Sequence, residues 1–186
     1  MTEASLAQEL AAIRAQLESQ RARNEIYDCI VRFYRGVDRL DRELMLSAFH
    51  PGARDNHGRF DGPAEEFVDW AIGHLTGSVL FSVHHVGNVL IKFDGEVAYC
   101  ESHVFAIERH TTADGEKDNI AHGRLLDRFE QRDGEWRIAE RHLVGDWLRV
   151  EPVAEVPGGG LLANMLLPKR SKEDASYLVF DGKSPA

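Results

Sequence analysis

The sequence predicts an α+β fold: N-terminal helices packed on a curved, mostly antiparallel sheet, forming a cone-shaped domain around a small-molecule pocket. Two observations predict it. Up to about residue 77 the apolar residues recur at helical spacing, and from Ser78 four long runs rich in β-branched and aromatic residues take over. The runs, about Val79 to Phe93, Glu96 to Thr112, Lys117 to Gln131 and Glu135 to Val150, are separated by Asp94-Gly95, Asp114-Gly115 and Asp133-Gly134. Asp-Gly between such runs signals a hairpin, because both positions tolerate positive φ. Each run exceeds the usual strand length, which implies bending, and a sheet that curls around its helices leaves a cavity on its concave side.

The helical front begins with Leu6, Leu10, Ile13 and Leu17, one narrow apolar stripe expected to bury against the domain or another subunit. Asn24 offers a helix start before Ile26, Ile30, Phe33, Tyr34 and Val37, with Gly36 weakening the last turn. Asp41 reads as the N-cap of a short helix carrying Leu44, Met45, Ala48 and Phe49, stopped by Pro51-Gly52. A loop or short hairpin follows near Asp55 to Asp61. Gly62-Pro63 then opens a third helix with Phe67, Val68, Ala71 and Leu75, closed by Thr76-Gly77. The chain divides into a helical extension (1–23), the cone domain (24–150) and a tail (151–186), whose Leu161 to Leu167 segment is expected to cover a neighbouring surface.

Composition narrows the function. The 186 residues include 43% hydrophobic and 28% charged, an ordinary globular balance for one domain. A formal charge of -9 without a basic run argues against nucleic acid, which is held by clustered Lys and Arg. No apolar stretch approaches the ~20 residues that span a bilayer, and the N-terminus lacks the marks of a signal peptide. Cys29 and Cys100 stand far apart without CxxC spacing and read as buried small hydrophobes, so a reducing cytoplasmic location is expected. None of the nine histidines falls in a tight metal-ligating spacing, and no metal is expected.

Three stretches carry a resemblance: Tyr34-Arg-Gly-Val-Asp38 at a helix end, Phe81-Ser-Val-His84-His85-Val-Gly87-Asn88, and Phe129-Glu-Gln-Arg-Asp133-Gly134-Glu-Trp136-Arg-Ile138. Over roughly Asn24 to Val150 the chain resembles the SnoaL-like branch of the nuclear-transport-factor-2-like superfamily, which includes scytalone dehydratase, bile acid 7α-dehydratase and hexachlorocyclohexane dehydrochlorinase. The resemblance implies that Asp38, ending the first long helix, orients a histidine that acts as general base. Adjacent strand residues face opposite sides, so one of His84 and His85 enters the pocket; the resemblance selects His85. It also implies that Arg141, five residues after Trp136, holds a developing anion. Phe33 stands where relatives carry a lysine or tyrosine and supplies no polar group. Tyr34 is next along the helix, about 100° away.

The resulting expectation is a cofactor-independent lyase or isomerase of a small cyclic or polycyclic substrate, oligomeric, with His85, Asp38, Arg141 and Tyr34 as catalytic groups. Phe33, Trp70, His103, Phe105 and Trp147 are expected to line the pocket, His103 doubling as a second base. The rival expectation is a non-catalytic binding or assembly subunit, like the small subunit of ring-hydroxylating dioxygenases. Fold cannot separate the two; the site must.

Overall fold

The structure, a computed structural model, describes residues 2–154, 160 and 165–185. Its first element is one uninterrupted helix, α1 (Glu3–Arg39), 37 residues long. Thr2 caps its N-terminus through its side chain, and Leu40, at φ 54, ends it by donating its N–H to Gly36 and Val37. Asn24 therefore starts nothing: it is exposed, and the residues around it are good helix formers. Gly36 has a packing role. A Cβ there would lie 2.7 Å from Met45 Cγ and 2.8 Å from Met45 N, so only glycine lets α2 (Arg42–Leu46) fold back this closely.

Asp41 caps α2 as expected, accepting from Leu44 N–H at 3.1 Å. Phe49, however, does not end a helix; it opens β1 (Phe49–Asn56), which pairs in parallel with β6 (Glu135–Pro152). Pairing across more than eighty residues of sequence overrides the local stop signal. Pro51 and Gly52 sit where the register shifts between Phe49 and Arg54, a place where a missing N–H is tolerated. β2 (Asp61–Pro63) closes the expected hairpin on β1, and α3 (Ala64–Gly77) follows with Pro63 at its N-cap.

β3 (Val79–Asp94), β4 (Val97–Thr112), β5 (Gly115–Arg132) and β6 form an antiparallel meander, and the six strands lie in the order β2-β1-β6-β5-β4-β3. Register shifts in β3 and β6 bend these long strands around the helices. The core lies between: Ile26, Ile30, Phe33 and Val37 of α1 and Phe67, Val68 and Leu75 of α3 against Cys100, Leu125, Phe129 and Ile138 of the sheet. Each such large side chain contributes about 1.5–3 kcal/mol by leaving water. Both thiols are buried, which pushes the Cys29 thiol up to about 11 and the Cys100 thiol up to about 12.

Neither apolar segment is buried within the chain itself, among the described residues. Leu6, Leu10, Ile13 and Leu17 are 45–60% exposed within the chain, because residues 6–17 of α1 project beyond the cone. In the tail, Leu161 and Leu162 lie outside the described residues, while Leu166 and Leu167 are exposed. The described tail docks through polar groups instead. Arg170 Nη1 donates to the carbonyls of Leu75 (2.9 Å) and Val79 (2.6 Å). Asp174 meets Arg39 at 3.3 Å and caps α4 (Ala175–Phe180), and Tyr177 donates to Asp41 at 2.7 Å. No helix of the described residues is long and apolar enough to cross a membrane.

Candidate active site

The end of α1 runs beside β3, the edge strand of the sheet, whose outer N–H groups have no strand to bind. Asp38, in the last turn of α1, uses one of them. Its Oδ2 accepts from the backbone N–H of His84 at 3.1 Å, and its Oδ1 meets His84 Nδ1 at 2.7 Å. The carboxylate thereby fixes backbone and imidazole together. Tyr34, one helical turn before Asp38, lies under the same imidazole, ring centroids 4.8 Å apart and 24° from parallel.

The histidine paired with Asp38 is therefore His84, and His85 is exposed on the other face of the sheet. The reason is a bulge. Counting back by twos from buried Ile91 would bring residue 85 inward, but the β3–β4 register shifts between Gly87 and Leu90, with Asn88 at φ 49. One inserted residue reverses the parity of everything before it.

Tyr34 and His84 line a cavity of about 460 Å³ with Val104, Ala106 and Glu108 of β4, Gly123 of β5 and Leu143 of β6. His57 lines it too, from the β1–β2 turn. The His57 Nδ1 lies 2.6 Å from Oδ1 of the fully buried Asp55, and its ring stacks on Phe67 at 4.4 Å. Two imidazoles thus face one cavity, each with Nδ1 tied to a carboxylate and Nε2 without a hydrogen-bond partner among the described residues. A third pair, His122 Nδ1 and Asp146 Oδ2 at 2.9 Å, sits at the rim. Burial pushes the Tyr34 hydroxyl well above the ordinary tyrosine range, so it stays an O–H donor at any ordinary pH. Arg170 reaches the neighbourhood from the tail. Burial lowers its pKa, Glu108 and Asp38 oppose that shift, and its Nε and Nη2 have no partner among the described residues.

Arg141 is not a free cation at this cavity. It is fully buried, donates to both oxygens of Asp127 (2.7 and 2.8 Å), and lies over Phe33 at 4.5 Å. Asp127 and Arg141 are direct cross-strand partners, so the sheet register itself commits the guanidinium to a neighbour. Phe33 packs in the core against Tyr34 and Phe49, and Trp70 lies half-exposed on α3, stacked on His74. His103 and Phe105 face the outer side of the sheet, His103 beside His122 and Phe105 against Trp147. Of the expected lining residues, Trp147 borders the cavity, and Phe33, Trp70, His103 and Phe105 do not.

Reading the residues alone missed His57, Asp55, Glu108 and Arg170. The Asp55-x-His57 spacing was visible, but it stood in a segment read as a loop or short hairpin, with no role assigned. Among the described residues no group of three or more His, Cys, Asp and Glu side chains is arranged to hold a metal ion.

The comparisons agree with this architecture. The family model described as SnoaL-like domain matches residues 18–142. No curated protein matches the sequence. Among solved structures, a putative scytalone dehydratase from Novosphingobium aromaticivorans is similar with a TM-score of 0.63 and 21% identity, over 80% of this chain and 97% of that one. A hexachlorocyclohexane dehydrochlorinase, LinA type 2, is similar with a TM-score of 0.65 and 18% identity, over 77% of this chain and 97% of that one. A putative aromatic ring hydroxylase, also from Novosphingobium aromaticivorans, has a TM-score of 0.62 and 15% identity, over 70% and 94%. At these identities the likeness is one of fold.

Proposed function

Because this chain belongs to the SnoaL-like family, within the nuclear-transport-factor-2-like superfamily, we propose that it is a lyase or isomerase that removes a proton from carbon in a small cyclic or polycyclic substrate. The observation that carries this reading is the Asp38–His84 contact at the wall of an unfilled cavity. A carboxylate on Nδ1 holds the imidazole in the tautomer whose Nε2 accepts a proton, and it compensates the imidazolium that forms.

The chemistry needs only acid–base groups of this chain. His84 Nε2 takes the proton, and the C–H electron pair moves into a new double bond or enolate. The Tyr34 hydroxyl donates to the oxygen on which negative charge develops. In a dehydration the carbon–oxygen bond then breaks, and protonated His57 transfers a proton to the departing oxygen, which leaves as water. Asp55 stands to His57 as Asp38 does to His84. His57 thus offers, from the β1–β2 turn, the polar assistance that Phe33 does not offer from α1. In an isomerisation the proton returns to another carbon and no group leaves.

A cavity filled by side chains would favour the non-catalytic reading; the open cavity beside His84 supports the catalytic one. The test is C–H exchange in D₂O, followed by NMR, across cyclic ketones, hydroxy-ketones and halogenated rings. The wild type should exchange a substrate C–H and His84→Gln should not. Exchange that survives unchanged in His84→Gln removes His84 from the mechanism.

A further inference from the structure

The exposed apolar residues of α1 do not stop at Leu17. Leu6, Leu10, Ile13, Leu17, Tyr27 and Val31 are all more than 40% exposed, and with Gln20 and Asn24 between them they run at alternating steps of four and three. That is an unbroken heptad seam: Leu10, Leu17, Asn24 and Val31 at a, Leu6, Ile13, Gln20 and Tyr27 at d. The opposite face of the same helix, with Ile26, Cys29, Ile30, Phe33 and Val37, is already buried on the chain's own sheet. The seam is a second apolar face, separate from the one that folds the domain.

The projecting part also needs a neighbour. Residues 6–20 are exposed all round, and a helix of that length without tertiary packing is marginal in water. The family match begins at residue 18, so residues 6–17 are an addition to the SnoaL-like domain rather than a piece of it.

We propose that α1 joins two copies of this chain as a parallel, two-stranded coiled coil along this seam. Three features select that occupant. A lone Asn at an a position fixes register and favours two parallel strands, and Asn24 stands there. The flanking charges match a parallel pairing, in which g meets the following e of the other helix. Glu9 meets Arg14 of the partner subunit, whereas Arg23 is held within its own chain, over Phe93 and at the Ile91 carbonyl. An antiparallel pairing instead sets e against e and brings arginine positions 14 and 21 of the two chains together. Finally, Leu and Ile fill the a and d layers from Leu6 to Leu17, so the apolar content is concentrated in the part that has no other neighbour.

The test is the mass in solution, by light scattering after gel filtration, of the full chain and of the double variant Leu10→Lys, Leu17→Lys. Neither leucine touches the folded cone, so the circular dichroism of the sheet should be unchanged while the mass falls to half that of wild type. A second variant, Leu10→Cys, should oxidise to a dimer linked at position 10. Gln8→Cys, at the outward f position, should not, and the buried Cys29 and Cys100 add no background. A monomeric wild type, an unchanged mass in the double-lysine variant, or failure of Leu10→Cys to cross-link each overturns the proposal. Its failure leaves the reading of the cavity untouched.

Discussion

Asp38 holds His84 at two points, through the backbone N–H at 3.1 Å and through Nδ1 at 2.7 Å, so the helix end and the edge strand are locked as one unit around the imidazole. A carboxylate at a helix C-terminus opposes the macrodipole, and this double contact is what it gains in exchange.

Asp38→Asn and His84→Gln should each lower kcat/KM by about 10²–10⁴-fold, and the double variant should be scarcely worse than the worse single one, because the residues act together. His85→Gln should retain nearly full activity. Steady-state kinetics on a substrate found by the exchange screen decide this, and equal losses for His84→Gln and His85→Gln would contradict the register described above.

His57→Gln should separate proton abstraction from loss of the leaving group. With a β-hydroxy ketone, deuterium exchange at the α-carbon should persist while release of water falls by about 10²-fold or more. Parallel loss of both would make His57 a binding or structural residue instead.

The Arg141–Asp127 pair should matter for stability rather than chemistry. Removing one partner leaves a buried charge uncompensated, so Asp127→Asn should cost about 3–5 kcal/mol in denaturant unfolding. A variant with wild-type stability and altered kcat would return Arg141 to the catalytic group.

The tail should be released by acid. Burial alone would raise the Asp174 carboxyl, but hydrogen bonds from the Ser176 hydroxyl and the N–H groups of Lys169 and Ser176, with Arg39 nearby, outweigh it and hold the group far below the ordinary carboxylate range. A depressed folded value means the stabilisation is complete above the unfolded value, about 4, and is lost as pH falls below it. Tyr177, pushed up to about 12 by burial and by its bond to Asp41, remains a donor throughout. Protection of residues 165–185 against hydrogen exchange, taken relative to the intrinsic rate at each pH, should therefore fall as pH drops below about 4 in wild type, and Asp174→Asn should show the lower protection already at pH 6.

The helices, the three Asp-Gly hairpins and the family's Asp38 were legible in the sequence, because helical period, turn chemistry and a helix-end carboxylate are local signals. Which histidine meets that carboxylate was not. Ser82, His84 and Val86 are no more apolar than Phe81, Val83 and His85, so alternation does not mark the inner face, and the bulge at Gly87–Leu90 reverses the parity that Ile91 suggests. Arg141 carries the same lesson. Its spacing from Trp136 was readable, but cross-strand pairing with Asp127 decides what the guanidinium binds. His57, from the turn after β1, and His84, from β3, come to one cavity only because β1, while paired with β2 in its hairpin, also runs parallel beside β6. The sequence by itself determined the helical front, the four-stranded meander with its Asp-Gly hairpins and the apolar stripe from Leu6 to Leu17, all set within a few turns of chain. Only the tertiary structure decided which side chains share the cavity, because strand register and bulges are fixed by partners far away in sequence.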